Sequence, residues 1–136
     1  SFPTEEELIE IQFALKDVNI HLATFEECEK FVDGKTFVYF DPPYRPLSDT
    51  SDFVSYTEGQ FNDDGHIRLA ELFRALGKRM AKLLLSNSDP KNTNPNDHFF
   101  DELYNGFLID RVSANRSINS DPGNRVNITE LLIRNY

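Results

Sequence analysis

Long apolar runs, cysteine and positive charge are all scarce in this sequence, and each scarcity removes a class of protein. The longest apolar stretches, such as residues 37–40 and 83–85, are strand-sized, far short of the roughly 20 residues that a membrane-spanning helix needs. Glu5, Glu6 and Glu7 crowd the start, where a secretory signal would place basic residues and then an apolar segment. The single cysteine, Cys28, excludes an internal disulfide or a zinc cluster, and it suits a reducing compartment, here expected to be cytoplasmic. His66 and His98 have no companions at metal-ligand spacing, so no metal is expected and both read as surface or helix residues.

The net charge of −9 over 136 residues argues against a protein that coats nucleic acid nonspecifically. Its distribution is uneven. Residues 1–35 carry nine acidic side chains against three basic ones, whereas residues 111–136 carry four arginines against two acids. Only that last segment has the cationic bias to meet phosphates. Elsewhere the charges are sufficiently explained as a solvated surface.

The length suits one domain with a real core. Thr4 with Glu7 forms a capping box that starts a helix, continued by Leu8, Ile9, Ile11 and Leu15. Val18, Ile20 and Leu22 alternate as in a short strand. Residues 24–31 read as a second helix. Residues 36–40 are β-branched and aromatic, as in a buried strand, and the prolines that follow stop it. Residues 45–63 form a long loop, which is unusual unless functional. Residues 64–78 place Ile67, Leu69, Ala70, Leu72, Phe73 and Leu76 on one helical face. Residues 82–86 read as a buried strand, 86–97 as a polar loop, and 97–104 as a short helix capped by Asp97. Residues 107–114 and 126–133 are strands joined across Asp121-Pro122-Gly123, so they should form an antiparallel hairpin. Alternation of this kind predicts an α/β fold, with a mostly parallel sheet and an antiparallel C-terminal strand. In such sheets ligands bind beyond the carboxyl ends of the strands. That rule gathers residues 24–26, 41–44 and 86–89 on one rim.

The chemistry centres on Asp41-Pro42-Pro43-Tyr44 at the tip of the 36–40 strand. Such a sequence could serve only as a rigid strand-ending turn. Its placement favours more: a carboxylate, two rigid residues and an aromatic ring make a preorganised polar pocket with a stacking wall. An exocyclic amine on a base is a poor nucleophile, because its lone pair is delocalised into the ring. Asp41 can accept one amine hydrogen, and the Pro42 carbonyl can accept the other. Tyr44 can stack on the base. A base inside a duplex is unreachable, so the target must be flipped out.

The Asp41-Pro42-Pro43-Tyr44 block resembles the catalytic motif of amino-group methyltransferases that use S-adenosylmethionine. The stretch from Asp41 through Arg45, Pro46, Leu47, Ser48 and Phe53 to Tyr56 and Phe61 is similar to the GATC-methylating DNA adenine N6-methyltransferases in particular. So are Leu69-Ala70, Ser86-Asn87-Ser88-Asp89, Leu103-Tyr104, Arg116-Ser117-Ile118 and Glu130-Leu131-Leu132, which fall in the family's order from about residue 18 onward. The resemblance implies a Rossmann-like methyltransferase sheet, S-adenosylmethionine as methyl donor, and double-stranded DNA with a flipped adenine as substrate. It implies that Asp41, Pro42 and Tyr44 are catalytic, and that Asp41, Phe25 and Glu26 lie against the donor. Thr24 beside them reads equally well as a plain helix cap. Ser48 and Tyr56 belong to the segment implied to close near DNA, and an ordinary surface loop is the equal alternative. Arg116 and Arg125 are implied to face phosphates, for which the guanidinium fork is suited, with surface ion pairs as the alternative. Ser86 to Asp89 would shape the pocket without taking part in catalysis.

The family also carries a glycine-rich loop for the donor's methionine part and a basic target-recognition region, and no Gly-x-Gly occurs here. Residues 1–136 are therefore expected to be the C-terminal portion of a catalytic domain, with the preceding portion of the same enzyme as partner. Two other readings remain at this stage. One is methylation of another amino group, on cytosine N4, an RNA base or a protein glutamine. The other is a catalytically incompetent piece that only packs or binds DNA.

Overall fold

The computed structural model describes residues 2–47, 61–114 and 128–136. In chain order the elements are helix α1 (Glu5–Ala14), a 3-10 helix (Phe25–Phe31), strand β1 (Phe37–Phe40), helix α2 (Asp63–Lys78) and strand β2 (Lys82–Ser88). A 3-10 turn (Pro90–Asn92), helix α3 (Phe99–Leu103) and strands β3 (Leu108–Ala114) and β4 (Ile128–Arg134) follow.

Among the described residues the strands form one sheet in the order β1-β2-β4-β3. β1 pairs parallel with β2, Phe40 lying opposite Leu85. β4 runs antiparallel to both neighbours, with Leu131 opposite Asn87 on one side and Arg111 on the other. Three strands thus share a direction, and the last in sequence is inserted against them. The expected hairpin is present as the β3–β4 pair. By hydrogen-bonded neighbours, however, the sheet is mixed rather than mostly parallel, because β4 lies between β2 and β3.

The core lies between α2 and one sheet face. Leu69, Leu72, Phe73 and Leu76 of α2 share it with Phe40, Leu83, Leu85, Leu131 and Ile133, joined by Phe100 of α3 and by Tyr104, which caps that helix. Phe73 meets two rings edge to face, Tyr104 at 5.4 Å and Phe107 at 5.0 Å, an arrangement favoured by ring quadrupoles. Asn62 caps α2 by accepting from the Gly65 amide at 3.0 Å, which satisfies one otherwise orphaned donor. Ile67, expected on the inner face, is 40% exposed.

Two expectations along the chain are corrected. Residues 18–22 form no strand, and Val18, Ile20 and Leu22 are exposed. A strand requires a neighbour to complete its ladder, and among the described residues none lies beside this stretch. β1 is not a fully buried strand either: only Phe40 is buried, and Phe37 and Tyr39 project from the open sheet face. α1 has the predicted capping box but buries none of its residues. The second helix is 3-10 in type, and the Thr24 side chain makes no capping bond to it. Among the described residues no helix is long and apolar enough to cross a membrane.

Candidate active site

β1 and β2 run parallel, so their carboxyl ends deliver Asp41 and Ser86–Asp89 to one rim. Asp41 is exposed and accepts a 2.9 Å hydrogen bond at Oδ1 from Ser86 Oγ. The Tyr39 hydroxyl donates to the same Ser86 oxygen at 2.9 Å. Tyr44 is half-buried. Burial raises the Tyr44 pKa above the ordinary phenol range; the nearby Ser86 hydroxyl opposes this, and the Glu130 and Asp41 carboxylates add to it. The phenol is therefore neutral at physiological pH. Pro42 between them is half-buried, and as a proline it keeps a carbonyl acceptor without an amide donor.

The next residue locks the motif in place. The Arg45 amide donates to Asn87 Oδ1 at 3.0 Å, and its carbonyl accepts from Ser88 Oγ at 2.6 Å. Its guanidinium bonds both Asp63 oxygens, at 2.8 and 3.1 Å, and reaches Asp97 Oδ2 at 2.9 Å. It also lies 4.3 Å above the Phe99 ring. Arg45 thereby ties the segment after Tyr44 to β2, the first turn of α2 and the start of α3. The Asp63 hydrogen bond is the largest influence holding its charge. Asp97 keeps its capping role as well, accepting from the Phe99 amide at 3.0 Å, and its pKa lies below the usual carboxylate value despite the opposing effect of burial. Nothing in the sequence pattern alone singled out Arg45. The usable signals were its position directly after the motif and acidic residues at two helix starts.

Ser86 to Asp89 lie on the rim and are held there by specific bonds. Asn87 Oδ1 accepts from the Arg45 and Ser88 amides. Asp89 is buried and accepts from Arg111 Nε at 3.0 Å, Thr129 Oγ1 at 2.7 Å and the Lys91 amide at 3.1 Å. Asp89 therefore fastens β2 to β3 and β4.

Phe25 and Glu26 sit apart from the Asp41–Tyr44 turn in their contacts. Phe25 packs edge-on against Phe61 at 5.6 Å, with Arg68 5.9 Å from its ring. Glu26 pairs with Arg68 at 3.8 Å, and its pKa is lowered chiefly by its own backbone amide. Their described contacts run to α2 and its approach, not to Asp41. Ser48, Tyr56, Arg116 and Arg125 lie outside the described residues. Among the described residues, no cluster of three or more metal-ligating side chains occurs.

The fold and rim define an α/β domain that presents a carboxylate, a rigid diproline and a phenol at the end of a parallel strand. A family model for D12 class N6 adenine-specific DNA methyltransferases matches residues 2–118, and the chain belongs to that family. It is 50% identical over 133 residues to the type II methyltransferase M.MjaIII of Methanocaldococcus jannaschii, covering 97% of this chain and 44% of that protein. It is 36% identical over 119 residues to the type II methyltransferase M1.LlaDCHI of Lactococcus lactis subsp. cremoris, covering 88% and 39%. It is 34% identical over 114 residues to the DNA adenine methylase of Escherichia coli K12, covering 79% and 38%. The chain thus spans less than half the length of these relatives.

Proposed function

We propose that this chain supplies the catalytic rim of an enzyme that transfers methyl from S-adenosylmethionine to adenine N6 in double-stranded DNA. In this reading it is the C-terminal portion of a Rossmann-like catalytic domain, and the remaining portion of the enzyme is its partner. The observation that carries the proposal is the exposed Asp41 carboxylate at the β1 tip, held by Ser86 beside the half-buried Tyr44. Family membership supports adenine as the base and DNA as the substrate.

Asp41 Oδ2 and the Pro42 carbonyl each accept one hydrogen of the flipped amine and hold its nitrogen out of conjugation with the ring. Tyr44 supplies the wall on which the base stacks. When bound, the donor presents a methyl group on a cationic sulfonium. An exposed carboxylate at the rim is complementary to that charge and fits such a ligand. Orientation of the amine is the main source of acceleration. Phe25 and Glu26 are proposed to line the donor side. Arg116 and Arg125 are proposed to meet phosphates, and Ser48 and Tyr56 to close near the DNA. GATC is the target that the family resemblance implies.

The test is nucleoside analysis of duplex DNA after incubation with the full-length gene product and labelled donor. The reading expects label in N6-methyladenine and in adenines within GATC. Label in N4-methylcytosine, or in RNA or protein but not DNA, would reject it.

A further inference from the structure

We infer that Ser86 is a positioning residue for methyl transfer, setting the Asp41 carboxylate through its hydroxyl. The inference deepens the proposed function and rests on it. A serine hydroxyl has one hydrogen to donate and two lone pairs to accept with. Here the hydrogen goes to Asp41 Oδ1. One lone pair takes the Tyr39 hydroxyl at 2.9 Å. Held on both its donor and its acceptor side, the hydroxyl cannot rotate away from Asp41 without breaking a bond.

Several consequences follow for the reaction. Asp41 is exposed, and a free carboxylate on a strand tip would rotate about its last bond. The Ser86 bond fixes that rotation and leaves Oδ2 as the oxygen for the substrate amine. Ser86 is 4% exposed and sits in β2 opposite Leu132 of β4, so the hydroxyl is carried by an interior strand of the sheet. Tyr39 lies one strand away with an exposed ring, and it contributes through its hydroxyl alone. Preorganised placement of this kind acts on the transition state more than on substrate binding. The effect should therefore appear in kcat.

The experiment compares kcat, donor KM and DNA KM for the full-length wild type, Ser86→Ala, Ser86→Cys and Tyr39→Phe. Ser86→Cys preserves volume with a weak donor and carries the test if Ser86→Ala does not fold. The expected result is a fall in kcat of about 10- to 100-fold for Ser86→Ala and Ser86→Cys, with both KM values within about twofold. Tyr39→Phe should lower kcat by less than about fivefold, since Ser86 still donates to Asp41. Folded Ser86 variants with wild-type kcat, or with a loss entirely in KM, would overturn the inference while leaving the proposed function standing. A wild type that transfers no methyl to adenine would remove both.

Discussion

Asp41 and Asp89 are both carboxylates beyond strand ends, and their surroundings assign them opposite work. Asp89 is 1% exposed and bonded by a guanidinium, a hydroxyl and an amide. A carboxylate so occupied is committed to structure, and removing Arg111 would leave its buried charge without a counter-ion. Asp41 is exposed with one oxygen held by Ser86. His66 shows a third situation. It is 2% exposed among Phe61, Phe99 and Phe100, and burial lowers its pKa from 6.5 to about 4. The folded protein thus refuses a proton that the unfolded chain accepts. His66 stability is complete above 6.5, declines as pH falls through the window, and levels off below about 4. Replacing it with phenylalanine should reduce the loss of stability between pH 7 and pH 4.5 by about 2 kcal/mol, since each pKa unit corresponds to about 1.4 kcal/mol. Urea denaturation of both proteins at the two pH values measures this. Equal losses would contradict the assigned burial. The sequence suggested a surface or helix histidine; it is helical and buried, because α2 turns that face toward the aromatic cluster of α3.

The ends of the helices offer a test at the scale of elements. Arg79 is the C-cap of α2, and Met80 then takes a φ of 71° and is 80% exposed. Gly106, between α3 and β3, has a φ of +93°, and an added Cβ would meet nothing within 4 Å. Both positions are left-handed, and there a side chain costs about 1–2 kcal/mol. Gly106→Ala should therefore destabilise by about 1–2 kcal/mol without any clash. Met80→Gly should stabilise by about 0.5 kcal/mol, after allowance for the freedom glycine adds to the unfolded chain. Thermal melts of the two variants should shift in opposite directions, and shifts of the same sign would contradict the backbone argument. Elements with strong local signals were legible in the sequence: the Thr4–Glu7 box, the α2 face and the apolar 82–86 run. Residues 18–22 carried an equally clean alternation and form no strand. Alternation reports which side chains could share a face, while a strand also needs a ladder partner, which no local pattern encodes.

Across the whole molecule, the parallel β1–β2 pair brings two distant segments to one rim. The rule that such sheets bind ligands at their carboxyl ends places Asp41 and Ser86 together from sequence, and they are hydrogen-bonded across 45 positions of it. The insertion of β4 between β2 and β3 was not legible, because a hairpin has the same sequence signature whichever of its strands faces inward. Nor was the Arg45 clasp, whose partners Asp63 and Asp97 lie 18 and 52 positions away. The account as a whole turns on Asp41. Single-turnover methyl transfer by the full-length enzyme, with enzyme in excess over a duplex bearing one target adenine, isolates the chemical step. Asp41→Ala should bind DNA and fold as the wild type does yet transfer methyl at least about 1000-fold more slowly. A variant that transfers within about tenfold of the wild-type rate would contradict the central claim.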